Sequence, residues 1–161
     1  MDSTNTSNWK TFATEAPELA EAVRRRFTWT KHHVLATLRR DGSPRVSGTE
    51  VQFHANGLYA GSMPGSLKAK DLINDPRFAL HSNPGEPTME GGDAKISGFA
   101  ALITEADVLA GYIGDVTPPE PFHLFELRIA EVVRTSLHPD GDRLVIELWR
   151  PGQAIQRTDR Y

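Results

Sequence analysis

The sequence predicts a mainly β (α+β) domain, an antiparallel closed barrel or sandwich with short flanking helices. Three observations predict it. Short β-branched and apolar runs recur through the middle of the chain, Asp-Gly and Asn-Gly pairs separate the first of them in the manner of hairpins, and only three brief stretches carry helical periodicity. Strands and helices do not alternate as a parallel sheet requires, and neither a Rossmann nor a P-loop glycine pattern follows a strand.

Residues 1–13, polar and rich in Ser, Thr and Asn, read as a flexible arm, and residues 14–161 as one domain. The spacing predicts a helix over 14–27, with Thr14 as cap, Glu15 and Glu18 in the first turn, and Arg24, Arg25 and Arg26 at the solvated end that the helix dipole favours for cations. Runs 33–38 and 45–53 form a hairpin over Asp41-Gly42, and 58–62 follows the Asn56-Gly57 turn. A short helix over 66–73 is stopped by Asn74-Asp75-Pro76. Later strands are expected over 77–81, 94–104, 122–135 and 143–149, with a helix over 105–112, which gives about six or seven strands and three helices in all. Gly98, inside a strand, marks a bulge or a close approach of two backbones.

Composition removes several classes of function. The 18 basic and 21 acidic residues nearly cancel, so no field of one sign recruits nucleic acid or an anionic membrane. The absence of cysteine excludes a disulfide framework, a thiolate nucleophile and any cysteine-ligated metal. The N-terminus lacks the basic start and apolar run of a secretory signal, and no stretch is long and apolar enough to span a bilayer, so a cytoplasmic protein is expected. Six scattered histidines without ligand spacing give no reason to expect a metal site, and no Gly-x-Ser-x-Gly elbow supports a hydrolase. The acidic loop residues Glu86, Glu90 and Asp93 read as solvated, with substrate gating as the other role.

Chemistry concentrates in Ser62-Met63-Pro64-Gly65-Ser66-Leu67-Lys68-Ala69-Lys70, where a strand end turns into a helix start bearing a hydroxyl and two lysines. Unpaired helix-start amides, Ser66 and the charge of Lys68 or Lys70 suit a phosphate, though an ordinary capped surface helix has the same ingredients. Arg45, at the start of the second strand, can aim an always-charged fork at the same anion or stand exposed.

Taken in order, 36–46 (ATLRRDGSPRV), 65–69 (GSLKA) and 75–77 (DPR) resemble the pyridoxamine 5'-phosphate oxidase-like flavin and deazaflavin oxidoreductases, over roughly residues 30–104, and 146–152 (IELWRPG) is similar to the end of the oxidases. The resemblance implies an FMN-binding split β-barrel in which a homodimer holds two flavins at its interface. Carried over, it assigns the FMN phosphate to Arg45, Ser66 and Lys68, the isoalloxazine to the backbone of Val46, Ser47 and Gly48, and the ribityl chain to Ser62 and Met63. Trp149 resembles the tryptophan offered by the partner subunit; a core aromatic is its alternative role. The chain departs from the family at Leu67, in place of a phosphate-binding Arg, at Glu50, in place of a Lys, and at Asp93, about where a glutamine stands near the ring. Each lost charge-assisted bond weakens a phosphate clamp by about 1.5–3 kcal/mol.

The implied function is a flavin-dependent oxidoreductase acting on a small organic molecule, rather than pyridoxamine-phosphate oxidase itself. A coenzyme F-420 (deazaflavin) reductase of the same fold, relying on Lys68 and Lys70, is one alternative, and a non-catalytic flavin- or haem-binding module is another. Because the cofactor carries the chemistry in such sites, the sequence singles out no catalytic residue.

Overall fold

The computed structural model describes residues 2–84 and 87–161. In chain order the elements are α1 (Trp9–Glu15), α2 (Pro17–Trp29), β1 (His33–Leu38), β2 (Pro44–Thr49), β3 (Gln52–His54), β4 (Gly57–Ser62), α3 (Leu67–Asn74), β5 (Arg77–His81), β6 (Asp93–Leu102), α4 (Ala106–Val116), β7 (His123–Leu137), β8 (Leu144–Trp149) and β9 (Gln156–Arg160). The described residues thus form nine strands and four helices, more than the sequence suggests. The run 45–53 breaks at Glu50-Val51 into β2 and β3, and β9 turns back onto β8 through Gly152 at φ 76°. Every residue of β9 is exposed, so no apolar alternation announces that strand.

All pairings are antiparallel, in the order β2-β1-β5-β6-β7-β4-β3, with β8 added to β7 and β9 to β8. The two ends of this path, β2 and β3, are not paired with each other among the described residues. The sheet is therefore an open, split barrel and not the closed barrel or sandwich that turn spacing suggests.

The split lies along β7. One edge of β7 is covered by β6, while the other is shared: β4 pairs with residues 123–126 and β8 with 132–137. Between them Ser7 bridges Ile129, each amide donating to the other's carbonyl at 2.9 and 2.8 Å. The β6–β7 register also slips here, so that Ser97 faces Glu131 but Gly98 faces Ile129, leaving Ala130 as the extra residue of a bulge. Both readings of Gly98 hold: it sits at the bulge, and a Cβ there would lie 1.8 Å from the Arg128 carbonyl oxygen.

The N-terminal residues differ from the expected flexible arm. Asn8, not Thr14, caps the first helix by accepting from the Thr11 amide at 3.0 Å, and Thr14 lies inside that helix, donating to the Lys10 carbonyl. Trp9 and Phe12, three residues apart on one face, enter the core, where Phe12 packs on Trp149 with ring centroids 4.7 Å apart. Two aromatics outweigh the polar composition around them because each buries a large apolar area. Pro17 starts α2, whose Leu19, Ala20, Val23 and Phe27 continue the same core against Leu35, Leu80, Ile96 and Val132 of the sheet. The arginine triplet divides: Arg24 and Arg25 are exposed, while Arg26 is buried and donates to the Asn83 carbonyl at 2.8 Å. No helix among the described residues is long and apolar enough to cross a membrane.

Candidate functional site

β1 and β2 pair so that Thr37 stands opposite Arg45, and both point towards α3. There they meet Asp71. The Thr37 hydroxyl and the Arg45 Nε each donate to Asp71 Oδ2 at 2.7 Å, and the carboxylate is only 6% exposed. Burial opposes its ionisation, but hydrogen bonds from Arg45 and Thr37, with the charges of Arg45 and Arg39, outweigh this and hold the carboxyl below its ordinary range. Arg45 is thus neither an exposed strand residue nor a freely swinging cation. Its two terminal nitrogens have no hydrogen-bond partner among the described residues, so they remain available to an anion.

The same helix begins beside the end of β4. Ser66 caps α3, accepting from the Ala69 amide at 3.2 Å, and its hydroxyl lies 2.6 Å from that of Ser62. Lys68, in the first turn, reaches across to β2 and donates to the Gly48 carbonyl at 2.9 Å. Burial pushes the Lys68 pKa down from its ordinary value, and the nearby Glu50 carboxylate partly offsets that. The fold therefore brings Gly48, Ser62, Ser66 and Lys68 around one helix start, with Arg45 held at the second turn of the same helix.

Other expected site residues fall elsewhere. Val46 and Met63 are 69% and 74% exposed, Ser47 is half-buried and Gly48 is open to solvent; Val46, next to Arg45 in a regularly paired strand, directs its side chain to the face of β2 away from α3. Lys70 is exposed; two residues from Lys68 in a helix, it points away from it, so the two lysines do not act as a pair. Trp149 takes its alternative role. It is fully buried against Phe12 in the core and presents no face to a ligand or to a second subunit, which corrects its assignment as a cofactor contact.

Glu50 lies 3.5 Å from both the Lys31 ammonium and the His32 Nε2, so this acidic residue joins a mixed-charge cluster at the edge of the site. Leu67 is 55% exposed and adds no charge to the helix start. Surface clefts of about 500 and 650 Å³ lie elsewhere, one at Glu120–Phe122 and one between 88–91 and the β7–β8–β9 strands, and neither includes Arg45, Ser66 or Lys68. His138, Asp140 and Asp142 bring ligand atoms within 4.8 Å of one another, but Arg143 already donates to Asp142 at 2.7 Å and pairs with Asp140, which places a cation in the cluster. Glu86 lies outside the described residues; Glu90 is exposed and Asp93 opens β6 opposite Thr135.

Asp71 is the site residue that sequence reading missed. The available signal was a lone carboxylate in a helix otherwise basic, one turn beyond the Ser66 cap, but only the three-dimensional register of Thr37 with Arg45 shows what it meets.

An open antiparallel sheet split along one long strand, with an N-terminal helical pair packed into it, defines a split-barrel protein. The chain belongs to the pyridoxamine 5'-phosphate oxidase family, whose sequence profile matches residues 19–136. No curated protein matches the sequence. Among solved structures, a pyridoxamine 5'-phosphate oxidase-related, FMN-binding protein from Nostoc punctiforme PCC 73102 is similar, at 16% identity over 91% of this chain and 96% of that one, with a TM-score of 0.64. PhzG from Burkholderia lata 383, in complex with tetrahydrophenazine-1-carboxylic acid, is 15% identical over 93% and 91%, with a TM-score of 0.59. The haem storage protein HutZ from Vibrio cholerae is 18% identical over 88% and 93%, with a TM-score of 0.52. At such identities the likeness is one of fold, and the fold carries proteins with different ligands.

Proposed function

We propose that this protein is a homodimeric flavin-binding oxidoreductase that holds FMN with its phosphate at the start of α3 and acts on a small organic substrate. The observation that carries the reading is that Arg45, Ser66 and Lys68 all engage one short helix, Ser66 as its cap, Lys68 from its first turn and Arg45 through Asp71 in its second. The helix-start amides and Ser66 hydroxyl offer neutral donors, the unpartnered Arg45 nitrogens offer a charged fork, and Lys68 adds a second cation, a donor set suited to a phosphate. The backbone of Val46–Gly48, whose Gly48 carbonyl Lys68 reaches, and the exposed Met63 lie beside it, where a flat ring would rest.

When bound, the flavin supplies the hydride chemistry. The chain's own residues bind and orient: Ser62 and Ser66 fix the helix start, Asp71 holds Arg45, and Lys68 ties α3 to β2. The test is a visible absorption spectrum of the purified protein followed by titration with FMN and with coenzyme F-420. Saturable FMN binding, weakened at least about tenfold in Arg45→Ala by loss of a charge-assisted contact, is the expected result. Tighter binding of F-420 would reassign the cofactor, and binding of neither would overturn the reading. Stoichiometric binding without turnover on any electron acceptor would make the protein a flavin carrier.

A further inference from the structure

Arg45 is the one cation of the helix-start cluster whose orientation is fixed by a buried carboxylate. A guanidinium has a side edge, Nε with one Nη, and an end, the two Nη groups; whichever is engaged by the protein decides which is offered to a ligand. Here the Nε–H is engaged by Asp71 Oδ2 at 2.7 Å, while the terminal nitrogens have no partner among the described residues. The same Asp71 oxygen also accepts from the Thr37 hydroxyl, so the three side chains join β1, α3 and β2. Arg39, the other guanidinium near this carboxylate, already donates to the Pro44 carbonyl at 2.6 Å and to Ser43, and donates no hydrogen bond to Asp71's oxygens.

We infer that Asp71 is a positioning residue of the anion clamp: it locks the Arg45 guanidinium by its Nε edge so that the two terminal nitrogens face the ligand phosphate. The inference rests on the reading of Arg45, Ser66 and Lys68 as phosphate ligands. Two effects of Asp71 oppose each other. Its negative charge repels a phosphate, but it sits behind the guanidinium in a buried position, whereas the orientation it imposes acts on donors in direct contact with the ligand. Contact geometry prevails because a long, flexible side chain must otherwise be ordered when the ligand binds.

Riboflavin, which lacks the phosphate, separates the possibilities. In the wild type FMN is expected to bind at least about tenfold more tightly than riboflavin, as one well-placed charge-assisted bond requires. Asp71→Ala should bring the FMN affinity down towards that of riboflavin while leaving riboflavin's within about twofold, and Thr37→Val should do the same to a smaller degree. Asp71→Leu serves if the alanine variant does not fold, since it keeps the size and removes both acceptors. In the double variant Arg45→Ala/Asp71→Leu the two losses should not add, because each removes the same contact. Unchanged or tighter FMN binding in Asp71→Ala or Asp71→Leu would overturn the inference by showing the carboxylate to be only a competitor for Arg45, and an equal fall for both flavins would overturn it by reducing Asp71 to a structural role. A wild type that binds the two flavins equally would instead remove the phosphate clamp on which it rests.

Discussion

His33 shows how much a single buried side chain can commit. Its Nε2 lies 2.9 Å from the Phe27 carbonyl, which can only accept, and its Nδ1 lies 3.0 Å from the Asn83 amide, which can only donate, so the ring is neutral with its proton on Nε2. Burial depresses its pKa, partly countered by hydrogen bonds to Phe27 and Thr30 and reinforced by the charges of Arg26 and His32. With the folded-state pKa below the ordinary 6.5, the unfolded chain binds the extra proton first as pH falls, so stability declines from about pH 6.5 downwards and is intact above it. Urea midpoints measured between pH 7.5 and 5.5 should fall, and His33→Asn, less stable at neutral pH, should lose that part of the slope; a variant with the wild-type slope would assign it to other groups. Arg45, Ser66 and Lys68 were legible in the sequence because turn and cap chemistry is local. Asp71 and the one buried member of the arginine triplet, Arg26, were not, since their partners, Thr37, Arg45 and Asn83, are brought to them only by the tertiary fold.

Among the elements, α1 makes the clearest case for tertiary context overriding composition. Its seven residues are too few to hold a helix in isolation, and it persists because Asn8 caps it, Ser7 pairs with Ile129 in the gap of the split sheet, and Trp9 and Phe12 fill the core below. Phe12→Ala should therefore destabilise the protein by about 3–5 kcal/mol, the range for removing a fully buried phenyl ring, measurable as a lowered denaturation midpoint. A loss below about 1 kcal/mol would mean that the helix is only loosely attached. Strands whose burial alternates along the chain, such as β1 and β5, were readable from alternation and turn residues, as was α3 between its Ser66 cap and Asp75-Pro76. β9 was not, because both of its faces meet solvent, and β3 was hidden because β2 and β3 run on with no turn residue between them.

At the scale of the whole molecule, the placement of the candidate site on an open surface bears on assembly. Neither surface cleft contains the helix-start cluster, and Val46 and Met63 stand clear of the chain's own core. Under the proposed function, a flavin ring resting on the exposed β2 backbone beside α3 would have one face against this chain and the other in water, so a single chain would leave much of its apolar area unburied. In the proposed dimer a second copy related by a twofold axis would cover the second face and, by the same symmetry, present an identical site of its own. Ligand binding and association are then linked: a flavin that binds the dimer better than the monomer draws the equilibrium towards dimer by mass action. Sedimentation equilibrium across a dilution series should show a higher average mass with saturating FMN than without it. Met63→Glu, a substitution at an exposed position that should change the stability of the unliganded chain by less than about 0.5 kcal/mol, should lower both dimerisation and FMN affinity by at least about tenfold, since a charge buried at an interface without a partner is costly. Association weakened with flavin affinity preserved would place the whole binding surface within one chain and separate the two equilibria.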